Sequence, residues 1–146
     1  MISRQTAASL GSWLAFAGWL GLLTYISSRA VPQGLSLPIP HFDKILHFGF
    51  FALGAMLLAT ALLTTFPCVK WPARIFAWLA LGAMGLFDEI RQLFTPGRSG
   101  GDPFDLLADI LGVTVGLALI FLLHARIRRT PSPAIHPAPR ERTQQS

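Results

Sequence analysis

Read for apolar and polar positions alone, the chain alternates long apolar runs with short, broken polar ones. Four runs stand out, at about residues 9–27, 43–66, 73–94 and 104–124. Each is close to the ~20 residues that a helix needs to cross the hydrocarbon core of a bilayer. The connections are punctuated by residues that end helices. Pro32, Gly34, Pro38 and Pro40 interrupt the first, Pro67 and Pro72 bracket the second, and Pro96, Gly97, Gly100, Gly101 and Pro103 fill the third. The pattern predicts an all-α protein, an integral membrane bundle of four transmembrane helices over residues 1–128. Residues 129–146 are basic and Pro-rich, and read as a disordered cytoplasmic tail.

Composition strengthens this reading. Hydrophobic residues make up 52% of the 146 and charged residues only 13%, where a soluble domain carries about 25% charged. A large soluble domain is excluded, and the bilayer is the first partner. The single cysteine, Cys68, can form no intrachain disulfide and supports no thiolate metal site. The net charge of +5 comes largely from Arg126, Arg128, Arg129, Arg140 and Arg142, after the last apolar run. Beside a membrane segment these read as an anchor on anionic lipid, not a nucleic-acid surface. The first run also has the basic start of a signal peptide. Its length and Arg29 in the would-be cleavage site favour a retained helix.

Lysine and arginine also set orientation. Arg4, Lys70, Arg74 and the tail arginines fall on one side of a four-span chain, and Arg29, Lys44 and Arg98 on the other. Positive charge stays inside, so both termini are expected in the cytoplasm.

Polar residues then break the apolar pattern at particular places. The second helix opens with Asp43, Lys44 and His47. The third ends with Asp88, Glu89, Arg91 and Gln92, followed by Arg98. The fourth begins with Asp102, Asp105 and Asp109. Insertion of one such charge at a helix centre costs about 2.5–3.5 kcal/mol. Connectivity puts the start of helix two, the end of helix three and the start of helix four on the same side, whichever way the chain inserts. Asp43, His47, Glu89, Gln92, Arg98, Asp105 and Asp109 can therefore meet at one depth. Asp43 and His47, four apart, share a face, and Lys44 points about 100° away. Asp105, Asp109, Gly112 and Gly116 fall within about 40° of one line on the fourth helix. With Gly82 and Gly85 on the third, these glycines are expected to let helices approach closely. Asp102 before Pro103 suits a helix N-cap.

Two blocks carry a resemblance. One is Asp43-Lys44-Ile45-Leu46-His47-Phe48. The other is Asp88-Glu89-Ile90-Arg91-Gln92-Leu93-Phe94-Thr95-Pro96-Gly97-Arg98, followed by Asp105 or Asp102 and then Asp109-Ile110-Leu111-Gly112. In combination they resemble the VanZ-like family of small bacterial membrane proteins, whose pattern is D-K-x-x-H-F, D-E-x-x-Q-x-F-x-P-G-R and D-x-x-x-N-x-x-G. The resemblance implies a helical membrane protein whose name-giving relatives are linked to resistance against teicoplanin-type glycopeptides. One position departs, because Asp109 stands where the family usually has Asn.

Three functions fit these residues. The first is a binding or transport-like role, with an outward polar pocket for a lipid head group, a cell-wall precursor or a glycopeptide-related ligand. Arg98 and Lys44 would meet its anionic group, and Glu89, Asp105 and Asp109 would set polarity. The second is an intramembrane hydrolase or transferase on a lipid-linked substrate. His47 and a carboxylate would do acid–base work, or hold a divalent metal. No serine or cysteine nucleophile lies in the two blocks, and the residues specify no cofactor and no metal site. The third is an accessory subunit packed against a membrane protein partner or a second copy of itself.

Overall fold

The computed structural model describes residues 3–29, 40–66, 68–98 and 100–129. Four helices follow one another: α1 (Arg4–Ser27), α2 (Phe42–Thr65), α3 (Trp71–Leu93) and α4 (Pro103–Arg129). The all-α expectation holds. Three of them, α1, α2 and α4, are long and apolar enough to cross a membrane. α3 is not among them, because Arg74, Asp88, Glu89 and Arg91 interrupt its apolar content. The Pro-rich tail and most of the first connection lie outside the described residues.

The boundaries follow local chemistry. Ser3 caps α1 by accepting the N–H of Thr6 at 3.1 Å, and α1 therefore starts earlier than its apolar run. Pro72 sits in the first turn of α3, where its missing N–H costs nothing. Asp102 Oδ1 accepts the Phe104 N–H at 2.8 Å, as expected of a residue capping a helix that begins with proline. α4 runs past His124 to Arg129, and its last turn carries Arg126, Arg128 and Arg129. Cations there face the negative end of the helix dipole, so the arginines extend the helix where hydropathy alone would end it.

α2 packs most extensively against α4, α1 lies on α2, and α3 lies on α4. Most of what α2 buries is small: Ala52, Gly54, Ala55, Ala59 and Ala61 are all buried, with Ala52 and Ala55 against α4 and Gly54 against α1. Phe51, Val113, Leu117 and Leu81 fill the space between α2, α3 and α4. Gly112 and Gly116 are where α4 touches α2. A Cβ on Gly112 would meet the Phe48 carbonyl oxygen, and one on Gly116 would meet that of Ala52. Between α1 and α2 the seal is aromatic. Trp19 stacks on Phe16 at 5.7 Å and on Phe50 at 5.5 Å, and covers Gly54.

Not every glycine expected at a helix contact is at one. Gly85 is buried beside the Asp109 side chain, whereas a Cβ on Gly82 would meet nothing within 4 Å. Three residues turn a helix by about 300°, so the two glycines point about 60° apart and only one can face α4.

Candidate functional site

The start of α2, the end of α3 and the start of α4 do meet. Asp88, Glu89, Gln92, Asp105 and Asp109 are between 0% and 4% exposed at this one end of the bundle. They divide into three groups with different chemistry.

Lys44 is the centre of the first. Its Nζ lies 2.7 Å from Asp102 Oδ2, 2.9 Å from Asp105 Oδ1 and 3.1 Å from Asp43 Oδ2. Helical geometry turns Lys44 away from the Asp43–His47 face, but its four-carbon stem reaches across to α4. Asp102, set aside in the sequence as a cap, has two jobs. One oxygen caps α4 and the other accepts from Lys44. The Lys44 hydrogen bond, then that from the Phe104 N–H, hold the Asp102 carboxyl below the usual carboxylate range.

The second group is His47, Glu89 and Asp109. His47 Nδ1 lies 3.0 Å from Asp109 Oδ1 and 3.9 Å from Glu89 Oε1. Glu89 is fixed from the loop before α4. Its Oε2 accepts the backbone N–H groups of Gly101 at 2.9 Å and Asp102 at 3.1 Å. Gly101 makes this possible by taking φ of 79°, a left-handed conformation open to glycine at little cost. The other oxygen of Glu89, Oε1, and Oδ2 of Asp109 are buried without a hydrogen-bond partner among the described residues.

The third group joins α1 to α3. Asp88 accepts from the Ser27 hydroxyl and, at 2.8 Å, from Gln92 Nε2. Arg91 donates to the Thr24 carbonyl at 3.1 Å and to the Ser28 hydroxyl. Arg98 donates to the carbonyls of Ile26 at 2.8 Å and Arg29 at 3.1 Å. Both arginines thus cap the C-terminal end of α1, where the last carbonyls are unsatisfied and the dipole favours a cation. Arg98 was expected in the pocket, facing an anionic group, and its guanidinium goes to α1 instead. Asp88 likewise turns to α1, and Gln92 to Asp88, rather than to the His47 group. Sequence reasoning missed Ser27 altogether. Only its place, a serine at the end of an apolar run, could have signalled it.

With Lys44 spoken for by carboxylates and Arg98 by carbonyls, the open part of the site is acidic. His47, Glu89 and Asp105 each offer a ligand atom within 4.8 Å of the others, and so do Asp43, Asp102 and Asp105. The second set already surrounds the Lys44 ammonium.

An all-helical bundle with three membrane-length apolar helices and a charged cluster buried at one end is that of a small multi-pass membrane protein. The chain belongs to the VanZ-like family: the family model VanZ/LLP1 matches residues 3–124. The match takes in α1 as well as the two polar blocks. No curated protein and no solved structure gives a significant match.

The family's usual Asn at position 109 supplies a prediction. Asp109→Asn keeps an oxygen for His47 and removes a buried charge whose second oxygen has no hydrogen-bond partner among the described residues. Chemical unfolding in detergent should show stability unchanged or raised by about 1 kcal/mol. Asp109→Leu, which strips His47 of its partner, should lower it by about 1–3 kcal/mol.

Proposed function

We propose that this protein lies in the cytoplasmic membrane of the bacterial cell envelope, with both termini in the cytoplasm and α3 as a fourth span. Its charged end faces outward and binds a polar or amphiphilic envelope ligand, such as a lipid head group or a cell-wall precursor. The exposed Phe76, Leu79, Leu86 and Ile90 on α3 suit contact with lipid. Lys70, Arg74 and the arginines ending α4 suit the cytoplasmic side. A retained α1 is supported by Trp19 in the core and by Ser27 on Asp88.

One observation carries the ligand reading. Among the described residues, Glu89 Oε1 and Asp109 Oδ2 are buried without a hydrogen-bond partner. A cluster built for folding alone would satisfy its own charges, because an unpaired buried carboxylate oxygen is costly. Binding of envelope lipids to purified protein in nanodiscs is the test. Glu89→Gln should weaken it about tenfold, the worth of one hydrogen bond to a charged group. Equal binding by wild type and Glu89→Gln would contradict the reading.

The His47–Asp109 contact of 3.0 Å favours one second reading, an acid–base hydrolase or transferase acting on a lipid-linked substrate. Turnover of such a substrate, lost in His47→Gln, would establish it.

A further inference from the structure

We propose that His47, Glu89 and Asp105 form a binding site for a divalent first-row transition-metal ion. This goes beyond the ligand reading and does not depend on it.

The two acidic sets at this end of the bundle share Asp105 but differ in one respect. Asp43, Asp102 and Asp105 have a resident cation, the Lys44 ammonium within 3.1 Å of all three. Among the described residues, Lys44 reaches only Asp105 of the set His47, Glu89 and Asp105, and leaves His47 and Glu89 to each other. Yet the ligand atoms of this set lie within 4.8 Å of one another, and Glu89 Oε1 is buried there with no hydrogen-bond partner among the described residues. That oxygen is placed by design of the loop. Two backbone N–H groups hold its twin, Oε2, which leaves Oε1 aimed toward His47.

The donor chemistry fits a metal. One imidazole nitrogen and two carboxylate oxygens are a mixed set suited to zinc or manganese, with room for a further ligand. Donors around bound zinc lie about 3.4 Å apart, so small side-chain rotations close the set. A carboxylate can serve Lys44 with one oxygen and a metal with the other. A metal on His47 Nε2 would leave Nδ1–H to donate to Asp109 Oδ1, 3.0 Å away, and a carboxylate on the other ring nitrogen is a common partner of metal-bound histidine. A metal here would also supply the positive charge that Lys44 and Arg98, both engaged, do not offer to an anionic ligand.

The test uses the full chain in nanodiscs, stripped with chelator and titrated with Zn2+ and separately with Mn2+ by calorimetry. Wild type should bind one equivalent. Glu89→Gln and His47→Asn should bind at least about tenfold more weakly, while Asp43→Asn should match wild type. Should the variants fail to fold, Mn2+ bound to wild type must show nitrogen coupling from one imidazole by pulsed electron paramagnetic resonance. No binding by wild type, unchanged binding by Glu89→Gln, or bound Mn2+ without nitrogen coupling overturns the metal site. Envelope-lipid binding measured with and without chelator separates the two ideas. Lipid retained by a protein that takes up no metal defeats this inference alone, and metal bound without lipid defeats only the ligand reading.

Discussion

Gly116→Ala and Gly112→Ala should each destabilise the bundle by about 2–3 kcal/mol, the upper part of the ~1–3 kcal/mol that overpacking costs. In an open helix the same change stabilises by about 1 kcal/mol, because alanine loses less backbone entropy. The sign of the effect is therefore diagnostic. A Cβ on Gly112 would run into the Phe48 carbonyl and come within 3.0 Å of the Ala52 nitrogen. One on Gly116 would strike the Ala52 carbonyl and lie 2.9 Å from the Ala55 Cβ. These are backbone atoms and a methyl group on a rigid helix, so nothing can rotate away. Helices in lipid gain little from hydrophobic burial against each other and rely on such close approach. Gly82→Ala is the matched control, since its Cβ would meet open space. Unfolding in detergent followed by circular dichroism should show loss at 112 and 116 and none at 82. Equal effects at all three positions would mean that α2 and α4 do not touch as described.

Lys44→Met should cost about 2–3 kcal/mol. Breaking a buried ion pair by removing one partner costs about 3–5 kcal/mol, and this cluster is only partly buried. Asp105 has 6% of its side chain exposed, Asp102 32% and Asp43 59%, so water reaches part of what the ammonium leaves behind. Three carboxylates gathered without their cation would also repel one another. The cost should fall back when Asp105→Asn is added, since Asp105 is the member least able to find water. A double-mutant cycle in detergent measures this coupling. Strict additivity of Lys44→Met and Asp105→Asn would show that the Lys44–Asp105 contact of 2.9 Å carries no energy.

Much of this was legible in the sequence. Apolar runs and proline punctuation gave the four helices, and chain connectivity alone put three polar helix ends together. What escaped has physical reasons. Lys44 was placed by its Cα, but its stem decides where the charge goes. Arg98 lies after α3, and helical periodicity says nothing about the direction of a loop side chain, which here turns to the α1 carbonyls. Asp88 and Glu89 are neighbours in sequence and point to different partners. One turns to Ser27, the other to the loop N–H groups and His47. α3 has the length of a span, but its charges lower its mean hydropathy, and the packing of Ala77 and Leu81 could not be read from composition.

On the proposed reading, His47, Glu89 and Asp109 are kept for what they bind, at some cost to the fold. The most direct test is the chelator-treated unfolding midpoint of Glu89→Gln in detergent, compared with wild type. Glutamine can keep an oxygen on the Gly101 and Asp102 N–H groups while removing a buried charge whose Oε1 has no hydrogen-bond partner among the described residues. The Glu89→Gln midpoint should equal or exceed that of wild type, as expected where a functional site carries strain against stability. A clearly lower midpoint would contradict that reading, and would make Glu89 a residue that holds the bundle together.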